Sequence, residues 1–494
     1  MSDGPEEPIG ESREEELVAA RREKADAMRK QGGEPFPHSF EGVEAIAGLL
    51  TAHDGLADGE ETESKHRVAG RLAARRGQGG AAFLDLYDRS GRIQLLAQTD
   101  HLGEEAFEAV RDLDLGDLIG VDGTAIRTKR GQLSLKVDAV TLLAKSLRPP
   151  PDKHHGLKDI ETRYRRRELD LIASEDARDL FVTRAKVITA IRGFLDRDGF
   201  IEVETPVLQP LYGGAAARPF TTHHNALDRN FFLRIATELY LKRLIVGGLE
   251  RVYELGKDFR NEGISPKHNP EFTMLEWYEA YSDYMVIASR LEDLVRHVAK
   301  EIEYEGEIDF ESPWQRETLR DSILSRCGVD VLAHRDRDSL AKEMEAKGLE
   351  VPKTDTWPQL VDELLTKHVE PELIQPTILF DYPVELSPFA KDHRSEPGLV
   401  ERFEAYAAGM EISNAFSELN DPDEQRRRFE SQRADAAAGD EEAQPFDEAY
   451  LRALEQGMPP TGGIGIGIDR LVMLLTGSKT IREVVLFPAM RDES

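Results

Sequence analysis

Near its C-terminus the chain reads Gly462-Gly-Ile-Gly-Ile-Gly-Ile-Asp-Arg-Leu-Val-Met-Leu-Leu, and no other stretch limits the fold so tightly. Gly463, Gly465 and Gly467 alternate with isoleucines at the period of a strand, and a helix is expected to start at Asp469-Arg470. A dinucleotide-binding turn needs GxGxxG opening into a helix, so strict alternation disfavours that fold. The pattern suits a strand passing under a flat ligand, with glycines admitting the ligand to the backbone and Arg470 able to reach a polyphosphate.

A second constellation runs from Val252 to Tyr278 and reads as strand, polar loop, strand. The loop holds Arg260, Glu262 and His268, and alternation after Pro270 puts Phe272, Met274, Glu276 and Tyr278 on one face. Arg at a loop edge can grip a phosphate or carboxylate bidentately, and an exposed Phe can stack on a purine. Taken alone, the same residues also describe a hairpin with surface ion pairs. Between these segments, extended residues 404–420 place Glu411, Ser413 and Ala415 on one face and Ile412, Asn414, Phe416 and Glu418 on the other. Glu404 and Glu411 could share Mg²⁺ with substrate phosphates, or be solvated carboxylates at a strand edge. Upstream, a helix over 181–195 feeds a strand that stops at Pro206, a pattern of core or interface.

Toward the N-terminus, residues 1–65 form an acidic helical arm with a net charge of −10. Its helix spans Glu11 to Lys30, stops at Gly32-Gly33, and carries a narrow apolar stripe of Val18, Ala25 and Met28. A short helix follows near Val43 to Leu50. Residues 66–148 change texture to five or so short alternating strands with a helix near Glu104 to Leu113, which fits a small all-β barrel of the OB type. This block is basic at +2. A linker over 149–160, opening with three prolines, precedes a large α+β unit over 161–494, within which 421–446 reads as a solvated charged helix.

Across all 494 residues, 94 Asp+Glu against 64 Lys+Arg give a net charge of −30. That excludes a generally basic nucleic-acid coat and a polybasic membrane-surface protein. Salt adaptation and an ordinary acidic cytosolic protein both account for it. Cys327 is the single cysteine, so no intramolecular disulfide and no CxxC zinc site can form. The N-terminus lacks a signal-peptide pattern and no apolar run is long enough to span a bilayer, so a cytoplasmic location is expected.

In order and spacing, these segments resemble the three signature motifs of class II aminoacyl-tRNA synthetases. The helix and strand before Pro206 match motif 1, Phe259-Arg-Asn-Glu-Gly motif 2, and Gly465-Ile-Gly-Ile-Asp-Arg motif 3. Tyr212-Gly-Gly-Ala-Ala-Ala-Arg-Pro-Phe, Glu238-Leu-Tyr-Leu-Lys-Arg and His268-Asn-Pro-Glu-Phe-Thr-Met-Leu-Glu-Trp-Tyr are very similar to the bacterial-type lysyl-tRNA synthetase family. The resemblance implies an antiparallel catalytic sheet, an N-terminal OB barrel that reads the anticodon, and a homodimer built by motif 1. It implies that L-lysine and ATP form lysyl-adenylate, with Mg²⁺, and that the lysyl group passes to the 3′ end of tRNA(Lys).

Residue by residue, the resemblance puts Arg260 on the lysine carboxylate and α-phosphate, Glu262 and His268 on ATP, and Phe272 against adenine. It puts Arg470 at the γ-phosphate, Glu404 and Glu411 on Mg²⁺, and Gly214 and Glu238 at the α-amino group. Glu276, Tyr278 and Glu418 would surround the ε-ammonium, with Asn414 and Phe416 lining the pocket. Aspartyl and asparaginyl relatives share the fold, but a pocket for an aspartate side chain needs a cation, whereas Glu276 and Glu418 would repel a carboxylate and pair with an ammonium, which favours lysine. In the barrel, Phe83 and Gln94 fall at positions that stack on and read a base, with Arg71, Arg75 and Arg76 on phosphates. Phe83 also sits beside Leu84 and Leu86, so it can equally be core. Two alternatives stay open. A relative that lysylates elongation factor P lacks the barrel, and a non-catalytic RNA- or nucleotide-binding regulator would be expected to lose motif residues.

Overall fold

The computed structural model describes residues 11–151, 157, 159–353, 356–437 and 445–491. The chain divides into two compact units, Met1–Lys158 and Asp159–Ser494. Residues 152–156 of the expected linker lie outside the described residues, as do 438–444 of the expected charged helix.

In the first unit, β1 (Glu61–Gln78), β2 (Ala81–Tyr87), β3 (Arg92–Gln98), β4 (Leu118–Arg127) and β5 (Leu133–Ala144) close into a barrel in the order β1-β2-β3-β5-β4. Alternation drives the closure. Leu84 and Leu86 of β2, Ile93 and Leu95 of β3, and Leu135 and Val137 of β5 point into one core. The helix Glu104–Arg111 adds Phe107 and Val110 to it. The arm is less separate than its composition suggests: β1 starts at Glu61, and the helix Ile46–Ala52 gives Ile46 and Leu49 to the barrel core. The helix Glu11–Lys30 belongs to the same unit, with Ala25 of its thin apolar stripe buried and polar ties on either side. Arg21 Nη1 donates to the Ser146 carbonyl at 2.8 Å, and Lys24 Nζ lies 2.9 Å from Asp112 Oδ1.

The second unit is built on one eight-stranded sheet. Its strands are β6 (Ile201–Glu202), β10 (Arg251–Phe259), β11 (Glu271–Ala280), β12 (Gln315–Thr318), β13 (Thr377–Pro383), β14 (Leu399–Ala407), β15 (Met410–Ser417) and β16 (Thr461–Gly467). The order across it is β12-β13-β14-β15-β16-β11-β10-β6, antiparallel except for the β10–β6 and β12–β13 pairs. A separate three-stranded sheet holds β7 (Leu208–Gln209), β8 (Thr221–His224) and β9 (Arg229–Leu233). One face of the large sheet is apolar. Leu275, Trp277, Ile464 and Ile466 pack there against Ile191 and Phe194 of the helix Glu175–Arg197, Leu291 and Val295 of Tyr284–Glu301, and Leu471 of Ile468–Thr476. Helices between residues 319 and 364 form a second core around Ile323, Leu340, Met344 and Leu360. This is the α+β catalytic architecture with an N-terminal OB barrel anticipated from the sequence. No helix among the described residues is long and apolar enough to cross a membrane.

Candidate active site

With Ile464, Ile466 and Ile468 committed to the core, Gly463, Gly465 and Gly467 form the middle of the opposite face of the sheet. Register places side chains on both sides of this bare strip. Gly465 pairs with Asn414 of β15 and Glu276 of β11, and Gly463 with Phe416 and Tyr278. A methyl on Gly463 would overlap the Glu418 carboxylate and the Tyr278 ring, so glycine is what lets those groups converge. At Gly465 a methyl would meet only Met274 Sδ at 3.6 Å and Glu276 Cγ at 3.8 Å. That position leaves open floor.

At one end of the strip Glu238, Glu276 and Glu418 gather, all buried. Glu238 opens the helix Glu238–Val246, and Lys242, one turn later, is fully buried. The Lys242 ammonium lies 2.6 Å from Glu238 Oε1 and pairs with Glu418 Oε2 as well. Glu276 accepts from the Thr237 amide at 3.2 Å and from the Tyr278 hydroxyl at 3.2 Å. Burial pushes Glu276 up to about 8, with the neighbouring charges of Asp258 and Glu238 adding to it. Burial likewise pushes Glu418 up to about 8 and raises Glu238, against the opposing pull of Lys242. Lys242 is the donor that Glu418 Oε2 has, and Glu418 Oε1 receives no hydrogen bond among the described residues. Lys242 pairs with Glu238 and Glu418 but not with Glu276, so this end is short of positive charge. Gly214 completes it: its φ is +89°, and an added Cβ would stand 3.0 Å from Glu238 Cβ.

Beside it, on β10, lies a second buried ionic group, with Glu254 directly across from Glu276. Arg234 pairs with Glu254, sits 3.1 Å from Asp258 Oδ1 and donates to the Lys257 carbonyl at 2.9 Å. Burial lifts Asp258 to about 6 despite Arg234 and Arg260.

The other end is cationic. Arg260 leaves β10 at the loop, its guanidinium 5.1 Å from the centroid of the Phe272 ring on β11. Glu262 is half-buried in the same loop. His268 Nε2 lies 3.0 Å from Arg470 Nη2 and His268 Nδ1 lies 2.8 Å from Ser265 Oγ. Arginine can only donate, so the neutral ring accepts at Nε2 and donates at Nδ1. Burial first, then Arg470 and Arg260, hold His268 below its ordinary value, in keeping with the neutral form. Arg470 Nη1 also donates to the Glu411 carbonyl at 2.9 Å and to Glu411 Oε2 at 3.0 Å.

Simple alternation fails at Glu411. The pairing of β14 with β15 shifts between Ala405 and Tyr406, whose partners are Ser413 and Glu411, so Ile412 is an extra residue in β15. Beyond this bulge Glu411 shares the ligand face with Asn414 and Phe416, whereas Ile412, expected beside them, turns into the core. Glu411 thereby comes close enough to Glu404 for that charge, after burial, to raise its pKa. Glu404 accepts from the Tyr382 hydroxyl at 2.8 Å and is also bound by Tyr406 and Arg402. Two oxygen-donor side chains crowded on adjacent strands suit a hard cation that also takes substrate oxygens. No group of three or more candidate metal ligands occurs among the described residues.

In the barrel, Phe83 stands opposite Arg76 and Leu96, outside the core that takes Ala82, Leu84 and Leu86. Gln94, paired with Asp85, shares that outer face and accepts from Ser134 Oγ at 3.0 Å. The three expected arginines do not act as a set. Arg71, opposite Tyr87, shares the Phe83 face and donates to the Gly116 carbonyl at 2.8 Å. Arg76 is paired with Asp85 at 3.0 Å. Arg75 lies opposite Leu84, on the other side of β1, and donates to the carbonyls of Arg111 and Leu113 beyond the helix Glu104–Arg111. Those carbonyls lack helical partners, which is why an arginine is drawn there.

Three further groups matter to which the sequence reading gave no role. Lys242 had a signal, since it follows Glu238 at the i,i+4 spacing of a helical ion pair. Asp469 accepts from the Thr273 amide at 2.7 Å and pairs with Arg184 at 2.6 Å, fixing the helix that carries Arg470 to β11. Tyr382 and Tyr406, which hold Glu404, are separated in sequence and carry no local signal.

Residues 159–491 match the family model described as tRNA synthetases class II (D, K and N), and residues 66–143 match an OB-fold nucleic acid binding domain. A lysine–tRNA ligase of Moorella thermoacetica is 51% identical over 97% of this chain and 99% of its own length. One from Synechococcus sp. (strain CC9311) is 51% identical over the same shares of both chains. Another, from Staphylococcus aureus, is 48% identical over 96% of this chain and 98% of its own.

Proposed function

Because the chain belongs to the class II tRNA synthetases and matches lysine–tRNA ligases along nearly their whole length, we infer that it activates L-lysine with ATP and passes the lysyl group to tRNA(Lys). The observation that carries the choice of lysine is the charge-deficient end of the site. Of Glu238, Glu276 and Glu418, the Lys242 ammonium pairs with the first and the last, and a substrate with two ammonium groups brings the positive charge that is lacking.

On this reading Glu238 and Gly214 receive the α-amino group, while Glu276, Tyr278 and Glu418 receive the ε-ammonium beside Asn414 and Phe416. Arg260 leaves the Phe272 ring to hold the lysine carboxylate against the α-phosphate, and adenine takes the ring face. Glu262 and the neutral His268 contact ATP, and Arg470 meets the γ-phosphate. Glu404 and Glu411 would hold Mg²⁺, which supplies charge neutralisation across the phosphates when bound. The lysine carboxylate oxygen then attacks the α-phosphorus and pyrophosphate leaves. The terminal tRNA hydroxyl next attacks the lysyl carbonyl, displacing AMP. The chain's own contribution is to orient reactants and stabilise charge, with no protein nucleophile.

Residues 66–148 are proposed to read the anticodon with Phe83, Gln94, Arg71, Arg75 and Arg76, and 161–494 to carry the chemistry. Arg75, bonded to carbonyls in its own unit, is the weakest member of that set. A homodimer through motif 1 is supported by the exposed Val182, Ile201, Val207 and Leu208. Neither alternative gains support. The OB barrel is present, and so are Arg260, Glu262, Glu404, Glu411 and Arg470.

The test is lysine-dependent ATP–pyrophosphate exchange followed by charging of tRNA(Lys). Exchange with aspartate or arginine in place of lysine would overturn the specificity; exchange without charging would point to another acceptor. Phe83→Ala should weaken charging and leave exchange near normal, whereas equal loss in both would make Phe83 structural.

A further inference from the structure

We propose that Lys242 is a positioning residue that fixes the distance between the carboxylate serving the α-amino group and the carboxylate serving the ε-ammonium, and thereby gauges the length of the amino acid the site accepts. The proposal rests on the lysine reading above and assigns a role to a residue that touches no substrate.

The geometry behind it is specific. Lys242 is fully buried, and its single Nζ lies 2.6 Å from Glu238 Oε1 and also pairs with Glu418 Oε2. Those two glutamates come from distant parts of the chain. Glu238 starts the helix Glu238–Val246, and Glu418 follows the end of β15. One ammonium is thus the direct electrostatic bond between the two ends of the proposed amino-acid subsite. It is held in place from other sides as well, 5.9 Å from the Tyr278 ring centroid and 5.4 Å from that of Phe389.

A surface lysine could swing, and the spacing with it. A buried one in van der Waals contact on all sides cannot, because interiors are close-packed. Glu418 has no side-chain hydrogen-bond partner besides Lys242 among the described residues, so removing Lys242 would free it to move toward whatever cation is present. The gauge would then loosen. The amino acid most able to exploit the slack is ornithine, which keeps both ammonium groups but is one methylene shorter. In a well-fitted pocket one methylene is worth about 10–200-fold in kcat/KM.

The experiment measures kcat and KM in ATP–pyrophosphate exchange separately for lysine, ornithine and ATP, with thermal unfolding alongside, in the parent, Lys242→Met and Lys242→Arg proteins. In Lys242→Met the lysine KM should rise at least about tenfold, as expected on breaking a buried charge pair, with the ATP KM within about twofold. The lysine-over-ornithine preference should fall to within about threefold. Lys242→Arg keeps the charge but carries it on a broader fork, so it should fold and still lose part of the preference. It decides the matter where Lys242→Met does not fold. An unchanged preference in the folded variants overturns the proposal, as does proportional loss for lysine, ornithine and ATP together with a lowered unfolding temperature. Failure of the parent to exchange with lysine would instead overturn the functional reading itself.

Discussion

The two ends of the candidate site use the same side chain for opposite purposes. At the Gly463 end, Glu276 and Glu418 are buried with too little positive charge around them and are pushed up to about 8. At the Arg470 end, Glu404 is held by two tyrosine hydroxyls and Arg402, and Glu411 by Arg470. The first pair is left wanting a cation; the second is held in place as a rigid oxygen surface. Glutamate alone says little, and its neighbours decide whether it selects a ligand or supports one.

The sharpest way to break this contrast is Glu276→Gln. Removing a desolvated charge that faces an ammonium should cost about 3 kcal/mol, on the order of a hundredfold in lysine KM, with the ATP KM unmoved. A comparable rise in ATP KM would mean that the two ends are not separate. Next in size is Gly463→Ala, whose methyl would overlap Glu418 and Tyr278. Overpacking of this kind costs about 1–3 kcal/mol of stability, whereas Gly465→Ala, with only ordinary contacts, should stay within about 0.5 kcal/mol by denaturant unfolding.

A third test of the contrast varies pH. Glu276 and Glu418 hold protons below about 8 and must release them to pair with an ammonium. Lysine KM should therefore fall as pH rises from 6 to 8, by at most about tenfold per unit for each group, and then level off. The linked stability has the reverse sign. A carboxylate raised in the folded state favours folding most at low pH, so its contribution is lost as pH climbs from the unfolded value near 4.5 toward about 8. The rise in unfolding temperature caused by lysine should grow across that window. A flat profile would show that both groups are already ionised in the free protein.

Much of this was readable from residue patterns. The barrel strands, the strand–loop–strand around Arg260 and the glycine strand are all local, and alternation located Phe272, Met274, Glu276 and Tyr278 on one face. What escaped depends on pairing between distant segments. Nothing within residues 404–420 announces that Ile412 is an extra residue, because a bulge is defined by the partner strand. That Arg75 faces the carbonyls of Arg111 and Leu113 likewise follows only from how the barrel brings distant segments together. The Arg184–Asp469–Thr273 link joins three segments that are far apart in sequence. Lys242 was legible in its spacing to Glu238, but its second partner, Glu418, was not.

The bulge at Ile412 makes the site sensitive to counting as well as to chemistry. With one residue fewer in β15, Glu411 would fall out of phase and turn toward the apolar layer, while every residue type involved stayed the same. The Arg470 guanidinium would lose its carboxylate, and Glu404 its companion across the strand boundary. A single-codon deletion there would therefore do what neither carboxylate substitution does alone, dismantling the phosphate end by changing the rhythm of the strand.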